Sequence, residues 1–175
     1  PKNAGAVSMF DLTYNDIAYS WYCPGEPLHS VEWQMKAMPV PAGETYTIRH
    51  AIALSGGLSR ISGAGSAAVG EILIPATCTP GTPVKVTVRL FGLERKDVTL
   101  KLAWGKNTQK LNCKLTPGKI TESTVTLPAP ANTHFVTCEV LDKKGVKLLD
   151  LYEKVQIADK ALTMEMADYP VRKKI

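Results

Sequence analysis

Long apolar runs, closely spaced cysteines and helical periodicity are all missing from this 175-residue sequence. No stretch approaches about 18 consecutive apolar residues, which excludes a membrane-spanning helix of the usual length. None of the four cysteines forms a C-x-x-C pair, so the sequence lacks the local spacing of a zinc site or a redox dithiol. No segment keeps the apolar period of an amphipathic helix. These absences favour an all-β chain.

In the first third of the chain, apolar and polar residues alternate with a period of two. Val31, Trp33 and Met35 share one predicted strand face. Over residues 45–54, the alternation predicts a second strand whose inward set is Tyr46, Ile48, Ile52 and Leu54. Prolines in the segment 39–44 separate the two strands, because proline has no N–H for a sheet ladder. We therefore predict a small N-terminal β-sheet segment over residues 1–58.

Glycine and serine dominate the next segment, with five glycines and four serines in residues 55–70. This composition predicts a flexible crossing or a short, weak helix, and we expect a crossing between domains at 59–70. Gly63 to Ala68 matches the letters of a dinucleotide fingerprint. We reject that function, because no acidic residue follows between Glu71 and Glu94 to bind a ribose.

Beyond the crossing, about seven short alternating runs with turn signals between them fill about ninety residues. Their inward sets include Val84 to Leu90, Val98 to Trp104 and Val136 to Val140. This spacing is typical of an immunoglobulin-like β-sandwich. We predict such a sandwich over residues 71–160, followed by a C-terminal extension over 161–175.

Two turns in this region carry a family resemblance. Pro80-Gly81-Thr82-Pro83 precedes one strand, and Asp142-Lys143-Lys144-Gly145 forms a late hairpin signal. With these turns, the region resembles the immunoglobulin-like or fibronectin-like modules of secreted, multidomain, carbohydrate-active bacterial proteins. The resemblance implies an accessory domain that is secreted, periplasmic or at the cell surface.

A second resemblance involves residues 31–54. Trp33, the turn Pro39-Val40-Pro41-Ala42-Gly43-Glu44-Thr45 and the strand from Tyr46 are similar to the closing strands of a galactose-mutarotase-like supersandwich. That resemblance implies either that the chain is a fragment of a carbohydrate-active enzyme or that its first part is a small sheet of its own. The start at Pro1, without a signal-peptide pattern, fits either a signal peptide that has been removed or a chain that is a cut piece.

Aromatic residues are gathered in the first 35 positions, and these are the candidates for ligand binding. Tyr19, Trp21 and Trp33 could stack on sugar rings, although large rings in strands more often pack in a core. His50 has the inward parity of its strand, which fits either a histidine at the edge of the core or a role in a sugar pocket.

The cysteines and histidines predict no metal site and no cofactor, because the three histidines are far apart and lack ligand spacing. Four cysteines allow three disulfide connectivities, which the sequence does not resolve. Cys113 and Cys138 lie inside strand-like runs and are our candidate for a bridge. No nucleophile motif is present, so catalysis by this chain alone is not favoured.

The net charge of +5 comes from the second part of the chain. Residues 1–70 have four basic and five acidic groups, whereas residues 71–175 have 17 and 11. The lysines alternate with apolar positions or lie in turns, so we expect an ordinary solvated sheet face. Nucleic-acid binding is not predicted, since no basic helix or arginine-rich run occurs.

Together these patterns predict a non-catalytic accessory or interaction module of a secreted protein that handles polysaccharide. Its partner would be a carbohydrate or a neighbouring protein domain. The alternatives are a fragment of a carbohydrate-active enzyme whose site is shared with absent sequence, or a structural or adhesion module.

Overall fold

The computed structural model describes residues 4–10, 15–22, 29–47 and 50–158; for residue 10 and for 15–22 and 29–35 it describes the backbone. Within these ranges every regular element is a β-strand, so the all-β prediction is confirmed. None of the described elements is a helix of the length and apolarity needed to cross a bilayer. The predicted extension 161–175 lies outside the described residues.

Fourteen strands are described. The N-terminal strands are β1 (Ala4–Phe10), β2 (Asn15–Tyr22), β3 (His29–Met35) and β4 (His50–Gly56). The next are β5 (Gly63–Ala64), β6 (Ala68–Leu73), β7 (Thr77–Cys78), β8 (Pro83–Gly92) and β9 (Lys96–Trp104). The last are β10 (Asn107–Leu115), β11 (Ile120–Pro128), β12 (Phe135–Leu141), β13 (Lys147–Lys154) and β14 (Gln156–Ile157).

Residue contacts divide the chain into two compact units. One unit is Ser8–Ala53, and the other combines Pro1–Val7 with Leu54–Ile175. Strands β2 and β3 form an antiparallel pair in the first unit. Strands β1 and β4 form a separate two-stranded sheet.

The larger unit contains an immunoglobulin-like β-sandwich of two four-stranded sheets. One sheet has the strand order β11-β8-β6-β5 and the other has β10-β9-β12-β13, with all neighbours antiparallel. The short strands β7 and β14 pair in parallel. Successive strands change sheets between β8 and β9, β10 and β11, and β11 and β12, as in the Greek-key connections of such sandwiches.

The core lies between the two sheets, where the inward residues of every long strand meet. Val86, Val88 and Leu90 of β8 face this layer, as do Leu100 and Leu102 of β9, and all are at most 1% exposed. Trp104 is the largest fully buried side chain. Its indole N–H donates to the carbonyl of Thr133 at 3.0 Å, which satisfies the polar atom that this ring brings into the core.

Residues 59–70, expected to be a flexible crossing, contain β5 and the beginning of β6. Ala67, Ala68 and Val69 are completely buried. The glycines here allow close packing: a Cβ at Gly63 would clash with the carbonyl oxygen of Asp150, and one at Gly65 would lie 2.5 Å from that of Leu148. The small residues therefore let an edge of one sheet approach β13 of the other.

Of the strand predicted over 45–54, the structure describes β4 from His50, and its buried parity is opposite to the prediction. Ala53 and Ser55 are buried, whereas Ile52 and Leu54 are 64% and 73% exposed. The Ser55 hydroxyl donates to the carbonyl of Gly5 on β1 at 3.5 Å. This side of β4 carries small residues, so hydrophobicity alone indicated the wrong face.

Candidate functional site

The three aromatic residues predicted as a carbohydrate platform lie on one antiparallel strand pair. Tyr19 and Trp21 belong to β2, and Trp33 belongs to β3. The register places each of them opposite a residue that is not aromatic: Glu32, Ser30 and Ala18, respectively. Their side chains are outside the part of the chain that the structure describes. A platform at these residues stays a prediction.

His50, predicted to point inward, is exposed at the start of β4. Its Nε2 lies 2.7 Å from the hydroxyl of Ser8 on β1. The inward parity assigned from the sequence was wrong, because the buried side of β4 carries the small residues Ala53 and Ser55. A role of His50 in sugar binding stays a prediction.

Cys113 and Cys138 do not form the predicted disulfide, because both thiols are free. Cys113 lies opposite Val98 and Cys138 lies opposite Leu102, on the two sides of β9. Strands two places apart are about 9.5 Å from each other, which exceeds the limit of about 7 Å between the Cα atoms of a disulfide. Burial raises the pKa of the Cys138 thiol to about 12, so this thiol is protonated and packs as a core residue.

A buried carboxylate organises the outer surface of the β11-β8-β6-β5 sheet, which we call the covered face. Glu71 of β6 is 0% exposed. Its Oε2 accepts hydrogen bonds from the Ser59 backbone N–H at 2.8 Å, the Ser59 hydroxyl at 2.7 Å and the Arg60 N–H at 3.0 Å. Its Oε1 pairs with the guanidinium of Arg89 on β8. These hydrogen bonds hold residues 59 and 60 against the covered face.

The protonation of Glu71 follows from these contacts. Burial raises the pKa of its carboxyl, but the bonds from Ser59, Arg60 and Arg89 outweigh burial, and the net pKa is lowered. The carboxylate is therefore charged and fully paired. Arg89 also approaches Glu122, with Nε 3.3 Å from Oε2, although that Nε makes no hydrogen bond with a described group. The cluster therefore stabilises the fold, because its contacts hold residues 59 and 60 against the sheet.

The outer surface of the β10-β9-β12-β13 sheet, which we call the open face, is organised differently. The sandwich contains only four aromatic rings of Phe, Tyr or Trp: Phe91, Trp104, Phe135 and Tyr152. Phe135 and Tyr152 both point outward on the open face and are 53% and 56% exposed. Phe135 is opposite Lys154, and Tyr152 is opposite Thr137, so the rings occupy diagonal positions. Side chains at such positions are within reach of each other.

Small residues continue the surface beside Tyr152. Thr137, Ala103 and Thr108 follow it across the sheet in one row of the register. A depression of about 300 Å³ lies here, lined in part by Ala103, Thr137 and Tyr152. The exposed ring of Tyr152 therefore lies beside a shallow surface of small side chains.

The next row across the open face is charged. It contains Lys110, Lys101, Glu139 and Asp150. Lys101 pairs with Glu139, and Lys147 pairs with Asp150, each at 2.8 Å. These groups line the same depression and offer both hydrogen-bond donors and acceptors next to the aromatic rings.

A larger groove, of about 710 Å³, lies toward the other end of the open face. Asp97 and Thr99 of β9 line it, together with Asn112 and Lys114 of β10. Lys143, from the β12–β13 connection, also lines it and forms an ion pair with Asp97 at 2.8 Å. Ala103 and Asp97 are six residues apart on β9, so the two depressions extend along about 20 Å of the sheet.

Phe135 and Tyr152 were missed by sequence reasoning, although a signal was present. Val136, Cys138 and Val140 were assigned to the core, and alternation places Phe135 outward as a direct consequence. The structure adds that Tyr152 of the neighbouring strand is its diagonal partner. Within the described ranges, no group of three or more His, Cys, Asp or Glu side chains is arranged to hold a metal ion.

Comparison with known proteins adds little to this description. No protein-family model matches the chain, and no curated protein matches it. A Niemann-Pick type C2 protein from Japanese carpenter ant is 13% identical, with a TM-score of 0.39 over 54% of this chain and 96% of that chain. A PKD domain of an M14-like peptidase from a Thermoplasmatales archaeon is also 13% identical, with a TM-score of 0.37 over 53% of this chain and 99% of that chain. With similarity this low, neither neighbour bears on function.

Proposed function

We propose that the sandwich is a non-catalytic accessory module that binds carbohydrate through the open face. The observation that carries this proposal is the pair of exposed rings, Phe135 and Tyr152, at diagonal positions on one sheet surface. A large exposed ring combines an apolar face with, for Tyr152, a hydroxyl that can bond a sugar. The proposed site is thus on the sandwich, and a platform at Tyr19, Trp21 and Trp33 stays a separate prediction.

The surroundings of the rings support the same ligand class. Ala103 and Thr137 leave room beside Tyr152 for a flat ring to lie against the sheet. The Lys101–Glu139 and Lys147–Asp150 pairs border that floor with donors and acceptors suited to hydroxyl groups. An apolar stacking surface beside a few polar groups is the usual construction of a small-molecule site.

We propose that the module belongs to a secreted, periplasmic or surface-exposed protein that handles polysaccharide, and that it positions a neighbouring domain on its substrate. Detection of the protein in culture supernatant, periplasm or surface fractions would support this location. Recovery in the cytoplasmic fraction alone would contradict it.

The ring pair is tested by binding measurements on the full 175-residue chain. Affinity electrophoresis in gels containing soluble polysaccharides would compare the wild type with Tyr152→Ala and Phe135→Ala. Loss of one stacked ring is worth about 0.5–1.5 kcal/mol, so we expect affinity to fall about threefold to tenfold in each variant.

Matched controls separate this face from the other aromatic residues. Tyr46→Ala removes an exposed ring outside the sandwich and is expected to leave binding unchanged. Loss of binding in Trp21→Ala and Trp33→Ala, with no effect of Tyr152→Ala or Phe135→Ala, would move the site to the N-terminal segment. A wild type that binds no polysaccharide would end the proposal.

A further inference from the structure

The open face carries an excess of positive charge that its own carboxylates do not neutralise. Its three acidic groups, Asp97, Glu139 and Asp150, are each already paired with a lysine, namely Lys143, Lys101 and Lys147. Three further lysines of the same face remain: Lys110, Lys114 and Lys154. Within the described part of the chain, none of the three forms an ion pair within 4 Å, although Lys114 lies opposite Asp97 in the register.

The positions of the remaining lysines are informative. Lys110 lies directly opposite Lys101 in the register of β10 and β9. Like charges facing each other across two strands destabilise a sheet, so this pair costs the fold some stability. Lys154 lies opposite Phe135, at the edge of the ring pair. Positive charge therefore occurs at the rings, in the row beside them and, at Lys114, in the larger groove.

The covered face provides a comparison within the same molecule. Its charges are Lys85, Arg89 and the covering Arg60 against Glu71, Glu122 and the Glu153 that pairs with Arg60, so they balance. Charge excess is thus a property of the open face and not of sheet surfaces in general.

From this placement we infer that the ligand of the open face is an acidic polysaccharide, with carboxylate or sulfate groups along a chain of sugar rings. The inference rests on the proposed function, because the rings of Phe135 and Tyr152 supply the stacking surface. Lys110, Lys114 and Lys154, by which lysines outnumber carboxylates on this face, supply the complementary charge. The track of about 20 Å along β9 suits an extended polymer.

The test compares polymers that share a backbone and differ in charge. Polygalacturonate is measured against its methyl ester, and dextran sulfate against dextran, with the full chain at low ionic strength. We expect the acidic member of a pair to bind more tightly, and added salt to weaken that binding, because exposed charges are screened over about 10 Å at 0.1 M. Tighter binding in only one pair identifies the anionic group.

The lysines are tested by the triple variant Lys110→Gln/Lys114→Gln/Lys154→Gln. Three exposed charge contacts together account for about a tenfold change in affinity, and we expect that loss for the acidic polymer and no change for its neutral counterpart. The matched control is Lys36→Gln/Lys85→Gln/Lys119→Gln, which removes the same charge from exposed positions outside the open face. An equal loss in the control would overturn the inference, because it would show a general charge effect.

Failure of the inference differs from failure of the proposed function. Equal binding of acidic and neutral polymers that still requires Tyr152 would overturn the acidic ligand and support the carbohydrate module. Binding of inorganic polyphosphate as tightly as polygalacturonate, unaffected by Tyr152→Ala, would overturn both. Selective, salt-sensitive binding that requires both the rings and the three lysines would support both.

Discussion

The two outer faces of the sandwich are built from the same alternation of residues and differ in what covers them. On the covered face, Glu71 is completely buried beneath residues 59 and 60, and its charge is matched by Arg89. On the open face, Phe135 and Tyr152 are more than half exposed, and lysines outnumber carboxylates. A polar residue is buried on one face while aromatic residues are exposed on the other.

Outward positions of the two sheets therefore have different roles: those of the covered face stabilise the fold, and those of the open face are available for binding. A buried charge is tolerated only with its hydrogen bonds complete, and those of Glu71 come from a segment that it thereby holds in place. An exposed pair of aromatic rings contributes little to the fold, because it covers no core. Substitutions on the covered face should therefore change stability, and those on the open face should change binding.

The largest effect is expected for Glu71→Ala. The change leaves Arg89 and the backbone N–H groups of Ser59 and Arg60 without their acceptor. Removing one partner of a buried pair typically costs about 3–5 kcal/mol, and we expect a loss of that size in the free energy of unfolding, measured by urea denaturation.

Glu122→Gln is the matched control, because Glu122 also contacts Arg89 but is 57% exposed at its side chain. We expect a loss of at most about 1 kcal/mol. If both variants lost the same small amount, the covered face would not depend on the buried carboxylate.

A smaller effect on the free energy of unfolding is expected when the pH is lowered. The pKa of Glu71 is lowered on folding from its ordinary value of 4.5, so its stabilisation is fully present above about pH 4.5 and is lost as the pH falls through the folded-state pKa. The difference in unfolding free energy between the wild type and Glu71→Ala should therefore narrow below pH 4.5. A difference that stayed constant down to pH 2 would contradict the lowered pKa.

The smallest effect is expected on the open face. Lys101 and Glu139 are paired at 2.8 Å with side chains 42% and 36% exposed. A double-mutant cycle with Lys101→Gln and Glu139→Gln should give a coupling energy of about 0.2–1 kcal/mol, decreasing in high salt. A coupling above about 2 kcal/mol would make this face a structural element like the covered one.

Strand positions in the sandwich were largely predictable because each strand alternates cleanly between core and solvent. The inward set Val136, Cys138 and Val140 is buried as expected. Prediction failed where small residues replaced large ones at a buried position. Ala53 and Ser55 gave no hydrophobic signal, and the glycines of 63–70 suggested flexibility where they permit close packing.

The candidate site was harder to predict from the sequence, since it depends on which strands are neighbours. Phe135 and Tyr152 are 17 residues apart in the chain and become diagonal partners only through the β12–β13 register. The same register places Lys110 opposite Lys101 across β10 and β9. The prediction of a bridge between Cys113 and Cys138 was wrong for a related reason, because β9 lies between their strands.

By itself, the sequence determined the all-β class and the inward parity of the large apolar residues in the sandwich strands, because side-chain alternation is a local property of each strand. Strand order and register were decided only by the tertiary structure, since they depend on which segments bury their apolar faces together. Those two choices brought Glu71 under a covering segment and Phe135 beside Tyr152. They also gathered on one face the lysines that the linear sequence leaves dispersed.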